Sequence, residues 1–196
     1  MTTIKLRDIF AHGAGAVFTV FSILLALMPA PVQAQDVDFN MDGSLKQPEG
    51  YREWIYVGTP LTPNELNGGE APFPEFHSVY INPKGWDAYK RTGKFPDGTV
   101  LIKELVSIGS KEASSGQGYF MGEFIGLEAA VKDSKRFAKE SGYWAYFSFG
   151  HSYPLAKATR AQKTENCATC HQSRAADDFV FTQYYPVMRA AKGKGE

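Results

Sequence analysis

Both cysteines of this chain fall in one short run near its C-terminus, Cys167-Ala168-Thr169-Cys170-His171. No other feature constrains the fold as strongly. Two thiols three positions apart, followed directly by an imidazole, suit covalent haem attachment: the thiols bond the two vinyl groups and the histidine reaches the iron from the proximal side. Any fold built on this sequence must therefore leave room beside the motif for a macrocycle. Three other uses of the pair are chemically conceivable. A thioredoxin-like redox pair calls for a βαβ context, which the surrounding sequence lacks. A zinc site calls for a fourth ligand and a second cluster at suitable spacing. A disulfide between residues three apart is sterically open but leaves His171 without a purpose.

The first 34 residues read as a targeting segment. Lys5 and Arg7 form a basic start, Ala14 to Leu27 is almost wholly apolar, and Val32-Gln33-Ala34 resembles a small-residue cleavage site. The apolar run spans about 20 Å as a helix, short of a ~30 Å bilayer core. A cleaved leader is thus favoured over a retained anchor. The mature chain is expected to start near Gln35, as a single haem domain over 35–196 in the periplasm, with no membrane contact after cleavage. Removing Lys5, Arg7 and Asp8 leaves 19 basic and 20 acidic residues. A near-neutral protein has no overall field to draw nucleic acid. Hydrophobic residues make up 43% of the chain, enough for a folded core rather than a disordered segment.

Along the mature part, a polar arm at 36–50 precedes short aromatic and β-branched segments separated by turn residues. Strands are expected at Trp54–Val57, Glu75–Ile81, Thr99–Ser107, Tyr119–Leu127 and Tyr143–Phe149. In the second, Phe76, Ser78 and Tyr80 alternate with His77, Val79 and Ile81, which places the two sets on opposite faces. Pro83 to Gly93 predicts a short helix, with proline early and glycine late. Ala129–Lys139 predicts another, and Glu165–Met188 a third that Pro186 should kink or end. Strands dominate and helices cluster late without regular alternation, so the fold class is α+β. It is predominantly an antiparallel β-sheet with a few helices and a C-terminal helical haem-attachment segment.

Several residues are candidates for a site. Thr99–Ser107 is apolar on both faces yet carries Lys103 and Glu104 side by side. One reading has them snorkelling or paired near a sheet edge. The other has a desolvated Lys103 amine available as a nucleophile. His77 shares its face with Val79 and Ile81, as a hydrogen-bonded core histidine or a haem-pocket residue. His151 follows Gly150 in a turn and reads as a surface residue. Met188 is the one soft side chain after the motif able to fill a sixth iron position, but its aromatic neighbours favour a core role. Phe120, Phe124, Tyr146, Phe147 and Phe149 suit either a dry pocket or plain sheet core.

An ordered series of motifs then becomes recognisable. It runs through Tyr51-Arg52-Glu53-Trp54, Thr62-Pro63-Asn64-Glu65-Leu66-Asn67, Asp97-Gly98-Thr99-Val100, and Lys103-Glu104-Leu105-Val106-Ser107. It continues through Gly118-Tyr119-Phe120-Met121-Gly122, Gly126-Leu127-Glu128-Ala129 and Val131-Lys132-Asp133-Ser134-Lys135-Arg136-Phe137, then the CxxCH run and Tyr185-Pro186-Val187. The chain resembles the cytochrome P-460 family, whose relatives include the gas-binding cytochrome c′-beta. The resemblance implies a homodimer with one haem c, held by Cys167 and Cys170 thioethers, ligated by His171 and open on its distal side. It implies that Lys103 is bonded through its side-chain nitrogen to a meso carbon of the haem. It also implies oxidation of hydroxylamine to nitrous oxide or nitric oxide, with electrons passing to a periplasmic acceptor cytochrome. The alternatives it brings are nitric-oxide binding at the same open site and, more distantly, mono-haem electron transfer. Two positions depart from the family. An ungapped register puts Gln162 where active members carry a distal carboxylate, with Glu165 too near Cys167 to replace it. His77 stands where an arginine is common, and is the candidate acid–base group.

Overall fold

The computed structural model describes residues 37–194; the predicted leader at 1–34 lies outside the described residues. In chain order the elements are β1 (Leu45–Lys46), β2 (Ile55–Gly58), β3 (Phe76–Ile81), α1 (Pro83–Thr92), β4 (Val100–Ile108), β5 (Glu112–Ala113), β6 (Gly116–Gln117), β7 (Met121–Lys132), β8 (Trp144–Ser148), β9 (Ala158–Thr159), α2 (Ala168–Arg174) and α3 (Pro186–Ala191). The architecture is α+β, as the strand-rich pattern predicts. Five strands form an antiparallel meander in the order β2-β3-β4-β7-β8, while β1 pairs β9 and β5 pairs β6.

Strand period sets the two faces of the sheet. Tyr80, Ile102, Ala129 and Phe147 lie in one row across β3, β4, β7 and β8. They pack into a first core with Leu45, Tyr51, Trp54 and Leu155. One residue along, Ile81, Leu101, Ala130 and Tyr146 form the matching row on the other face. That face packs a second core with Tyr89, Ala168, Val180, Tyr185 and Met188, brought by α1, α2, α3 and their connections. Burying a sheet on both sides explains why β4 reads as an almost unbroken apolar run.

Three expectations need correction. Ala129–Lys139 is not a helix: residues 129–132 continue β7, where Val131 pairs with Val100 on one side and Ala145 on the other. Two ladders of hydrogen bonds outweigh the local helix propensity of the alanines. After Lys132 the chain turns, with the Asp133 carboxylate accepting from the backbone of Lys135 and Arg136. The long C-terminal helix is likewise broken in two, because Asp178 and Phe179 adopt left-handed backbone (φ 43° and 64°) in a turn closed by Asp177 and Val180. Pro186 opens α3 instead of ending a helix; at the first helical position its fixed φ is already suitable and its missing N–H is not needed. Last, β4 is the central strand of the sheet, so Lys103 and Glu104 are not near an edge.

Candidate functional site

The face that receives α2 also receives Lys103. Its row across the sheet is Val79, Lys103, Glu128 and Ser148, and the next row holds His77, Leu105 and Gly126. Neighbouring Glu104 points to the opposite core. There it is 2% exposed, accepting from the Tyr51 hydroxyl at 2.5 Å and from the Arg52 guanidinium. The two adjacent charges thus have separate partners on separate sides of one sheet.

The CxxCH motif starts α2. Cys167 is half-buried, Cys170 is exposed, and both thiols are free. The His171 ring lies between Tyr146 and Phe181, with centroids 4.5 and 4.7 Å away. Its Nδ1 is 2.7 Å from the Phe179 carbonyl. A carbonyl can only accept, so Nδ1 carries the proton and Nε2 presents its lone pair. Burial pushes the His171 pKa down, against the opposing effect of the Phe179 bond, and so favours the neutral imidazole that a metal requires. The turn supplying the Phe179 carbonyl is anchored on several sides. Asp177 pairs with Lys192 and accepts from Thr182, and Asp178 pairs with Lys132. The Phe179 ring occupies the space over Gly142, where a Cβ would meet it at 2.4 Å.

Lys103 Nζ is 2.5 Å from Glu128 Oε2 and 4.7 Å from the centre of the Phe73 ring. The other Glu128 oxygen, Oε1, is 3.1 Å from His151 Nε2. On the β3 side, His77 Nε2 lies 3.8 Å from Glu75 Oε1. Burial works to raise the Glu75 carboxyl, but the nearby His77 ring, its own backbone and the charge of Lys103 bring it below the ordinary carboxylate value. Burial raises the Cys167 thiol; Glu128 adds to that shift and Lys103 opposes it. The same two charges act on His171, so the lysine, the carboxylate and the attachment motif share one electrostatic neighbourhood.

These groups fit a haem. Two free thiols at the CxxCH spacing, an imidazole with its Nε2 lone pair free, and an apolar, aromatic surround form the donor set for covalent c-type attachment and one axial bond. The buried His77 Nε2 and Tyr146 hydroxyl, both on this face, have no hydrogen-bond partner among the described residues. Unsatisfied buried polar atoms of this kind point to a missing partner. The zinc alternative finds no support in the geometry: among the described residues no three His, Cys, Asp or Glu side chains gather as a metal site.

The structure therefore brings His77, Lys103, Cys167 and His171 to one face. Gln162 is placed beside it by a bond from its backbone N–H to the Tyr146 carbonyl, while its side chain is 3.4 Å from Asn166. Met188 is fully buried in the second core. Of the aromatic candidates Tyr146 faces the site, Phe147 and Phe149 belong to the first core, Phe124 is exposed and Phe120 is half-buried. Sequence reasoning missed Glu75, Phe73 and the link from Glu128 to His151. The last is invisible without strand register, which alone sets Glu128 opposite Lys103.

A family model described as Cytochrome P460 matches residues 48–182. That span includes β2 to α2, every residue of the site, and the carbonyl that holds His171. A search of curated proteins found no match.

Proposed function

Since the chain belongs to the cytochrome P460 family, we propose that it is an exported c-type haem enzyme that oxidises hydroxylamine. The observation that carries this reading is Lys103, which leaves the central strand on the face that holds His171 and is fixed there by Glu128. A lysine so placed has little value to a simple electron carrier and a clear one to a protein that modifies its macrocycle.

Cys167 and Cys170 would hold the haem by thioethers, and His171 would offer its Nε2 lone pair to the iron. The haem, when bound, would supply the redox chemistry for hydroxylamine oxidation. The rest is the work of side chains. Lys103 would be the second covalent anchor of the haem, through Nζ, and such a bond would alter the macrocycle's shape and electronics. His77 is the side chain that would move protons, with Glu75 Oε1 3.8 Å from its Nε2; removal of substrate protons needs such a base within reach. The aromatic rings of Phe73, Tyr146 and Phe181 keep the surroundings apolar, which strengthens local electrostatics. A homodimer, an acceptor cytochrome and a periplasmic location complete the proposal.

One observation favours a second reading, nitric-oxide binding in the manner of cytochrome c′-beta. Gln162 precedes the attachment motif where active members carry a carboxylate, and an amide cannot accept the substrate's proton. Two measurements discriminate. Mass analysis of haem peptides from the purified protein should show attachment at Lys103 as well as at both cysteines. Rapid mixing with hydroxylamine should then reduce the ferric haem over repeated turnovers. Thioether links alone, with no reduction, would favour the gas-binding reading.

A further inference from the structure

The histidine of the attachment motif is the inner end of a row of rings that reaches the surface. The Phe181 ring lies 4.7 Å from the His171 ring, centre to centre, and Tyr184 stacks on Phe181 at 6.0 Å with 22° between their planes. Phe181 is half-buried, whereas Tyr184 is 60% exposed. A single turn of 3-10 helix, Thr182–Tyr184, sets this stack, because side chains three apart eclipse one another on such a turn. Gln183 fastens a helix on either side of the ring. Its Nε2 donates to the Arg174 carbonyl at 2.8 Å and its Oε1 accepts from the Ala176 N–H at 3.1 Å. Its own carbonyl accepts from Arg189 Nη1 at 2.5 Å. The end of α2 and the last turn of α3 are thereby drawn in beside Tyr184, each bringing an exposed arginine. From His171 to Lys194 the chain carries four Lys and Arg side chains and two Asp. Both carboxylates are taken, Asp177 by Lys192 and Asp178 by Lys132. Arg174 and Arg189 therefore keep uncompensated charge among the described residues.

We propose that Tyr184, flanked by Arg174 and Arg189, is the docking surface for an electron-acceptor protein that presents an acidic face. This rests on the reading that His171 ligates a redox-active haem, and adds where the electrons leave. Electron tunnelling falls off steeply with distance, and faster across gaps than through packed atoms. A row of packed rings from the axial ligand to water is a route that a partner completes by covering one exposed side chain. Each encounter passes one electron from the ferrous haem to the acceptor's own redox centre, with no bond or proton exchanged. Phe181 and Tyr184 serve as the medium and are not themselves oxidised. Charge complementarity identifies the partner. The mature chain is near neutral, with 19 basic and 20 acidic residues, so it has no global field for steering; two uncompensated guanidiniums around one exposed ring make a local one. Tyrosine and arginine are also side chains that dominate binding energy at protein interfaces, and a cationic partner would be repelled there. Exposed Cys170 offers another exit, but its exposed neighbours Thr169, Gln172 and Ser173 carry neither charge nor ring.

The test takes haem-loaded protein, reduced with dithionite, and mixes it rapidly with one-electron oxidants of opposite charge, ferricyanide and tris(phenanthroline)cobalt(III). Wild type is compared with Arg174→Glu, Arg189→Glu, the double variant, Tyr184→Ala and Lys157→Glu. Lys157 is an exposed cation on the segment beside β1 and serves as the remote control. At low salt the double variant should lose about tenfold in its rate with ferricyanide and gain with the cobalt complex. Added salt should erase both changes. Oxidised plastocyanin, an acidic copper protein, should follow ferricyanide through the series. Tyr184→Ala should slow every oxidant several-fold, and Lys157→Glu should change none. Binding gives a readout that needs no electron flow: the redox-inert hexacyanochromate(III) ion should broaden the NMR amide signals of 183–190 in wild type and spare them in the double variant. Rates with either anionic oxidant that ignore the charge reversals, or broadening centred elsewhere, overturn the proposal. So does an unchanged rate in Tyr184→Ala, which would place the exit at Cys170. If the double variant fails to fold, the single reversals decide in the same way. A wild type that takes up no haem refutes the underlying reading, whereas a haem protein indifferent to these changes refutes the docking surface alone.

Discussion

Replacing Glu104 with alanine tests how the protein keeps Lys103 pointing the right way. Glu104 is 2% exposed and receives the Tyr51 hydroxyl at 2.5 Å. Truncation leaves that hydroxyl buried without an acceptor, at about 1–3 kcal/mol. Arg52 also loses its partner, but its side chain is 52% exposed and keeps the Phe124 ring at 4.3 Å. It rehydrates easily, so the lost ion pair adds at most about 1 kcal/mol. Lost packing of the Glu104 methylenes adds roughly another 1 kcal/mol. The total expected loss is about 2–5 kcal/mol, a large part of the roughly 5–15 kcal/mol that holds a domain together. Glu104→Gln, which keeps the shape and one acceptor, should lose only about 1 kcal/mol. Urea unfolding of the haem-loaded protein measures both, and a cycle with Tyr51→Phe should give a coupling of about 1–2 kcal/mol. A Glu104→Ala variant within ~0.5 kcal/mol of wild type, or one with no coupling to Tyr51, would refute the assignment of this carboxylate as the anchor of β4.

Gly126→Ala sets two effects against each other. Restricting the unfolded chain gains about 0.4–1 kcal/mol. The new Cβ meets the Gly150 carbonyl oxygen at 2.7 Å and Leu105 Cδ1 at 2.8 Å, and overpacking of that kind costs about 1–3 kcal/mol. The clash wins, so the urea midpoint should fall; a rise would show that the 150–151 turn does not press on the sheet as described. Asp177 gives a pH prediction. Burial pushes its pKa up, but Lys192 and Thr182 pull it below the usual carboxylate value, so it is depressed relative to the unfolded chain. Its contribution is full above about pH 4 and is lost as pH falls through the lower folded value. Midpoints measured from pH 6 down to pH 2 should show this loss in wild type and a shallower one in Asp177→Asn. Gln162→Glu restores a carboxylate before the attachment motif and should speed hydroxylamine-driven haem reduction by about a hundredfold; an unchanged rate in rapid mixing would remove position 162 from the mechanism.

Some of this protein is legible one segment at a time. The donor set of Cys167, Cys170 and His171 is local chemistry, carried by five consecutive residues whatever surrounds them. The alternation of Phe76 to Ile81 likewise places each side chain on a face without knowledge of the partner strand, because the pleat has a fixed period of two. Pro83 and Gly93 bound α1 by rules that act within one turn of the chain. Where local preference and tertiary pairing disagree, the segment alone misleads. Ala129–Lys132 favours helix by composition and becomes strand because β4 and β8 both pair with it.

The sequence by itself determined the CxxCH donor set and the strand-rich class, since both are written in short patterns. Only the tertiary structure decided which of two adjacent charges, Lys103 or Glu104, faces the attachment motif, and which carboxylate and imidazole stand behind the lysine. Those choices depend on the register between β4 and β7 and on the approach of the 150–151 turn to Gly126. A one-residue slip in that register would exchange the two faces, and nothing within either strand alone forbids it.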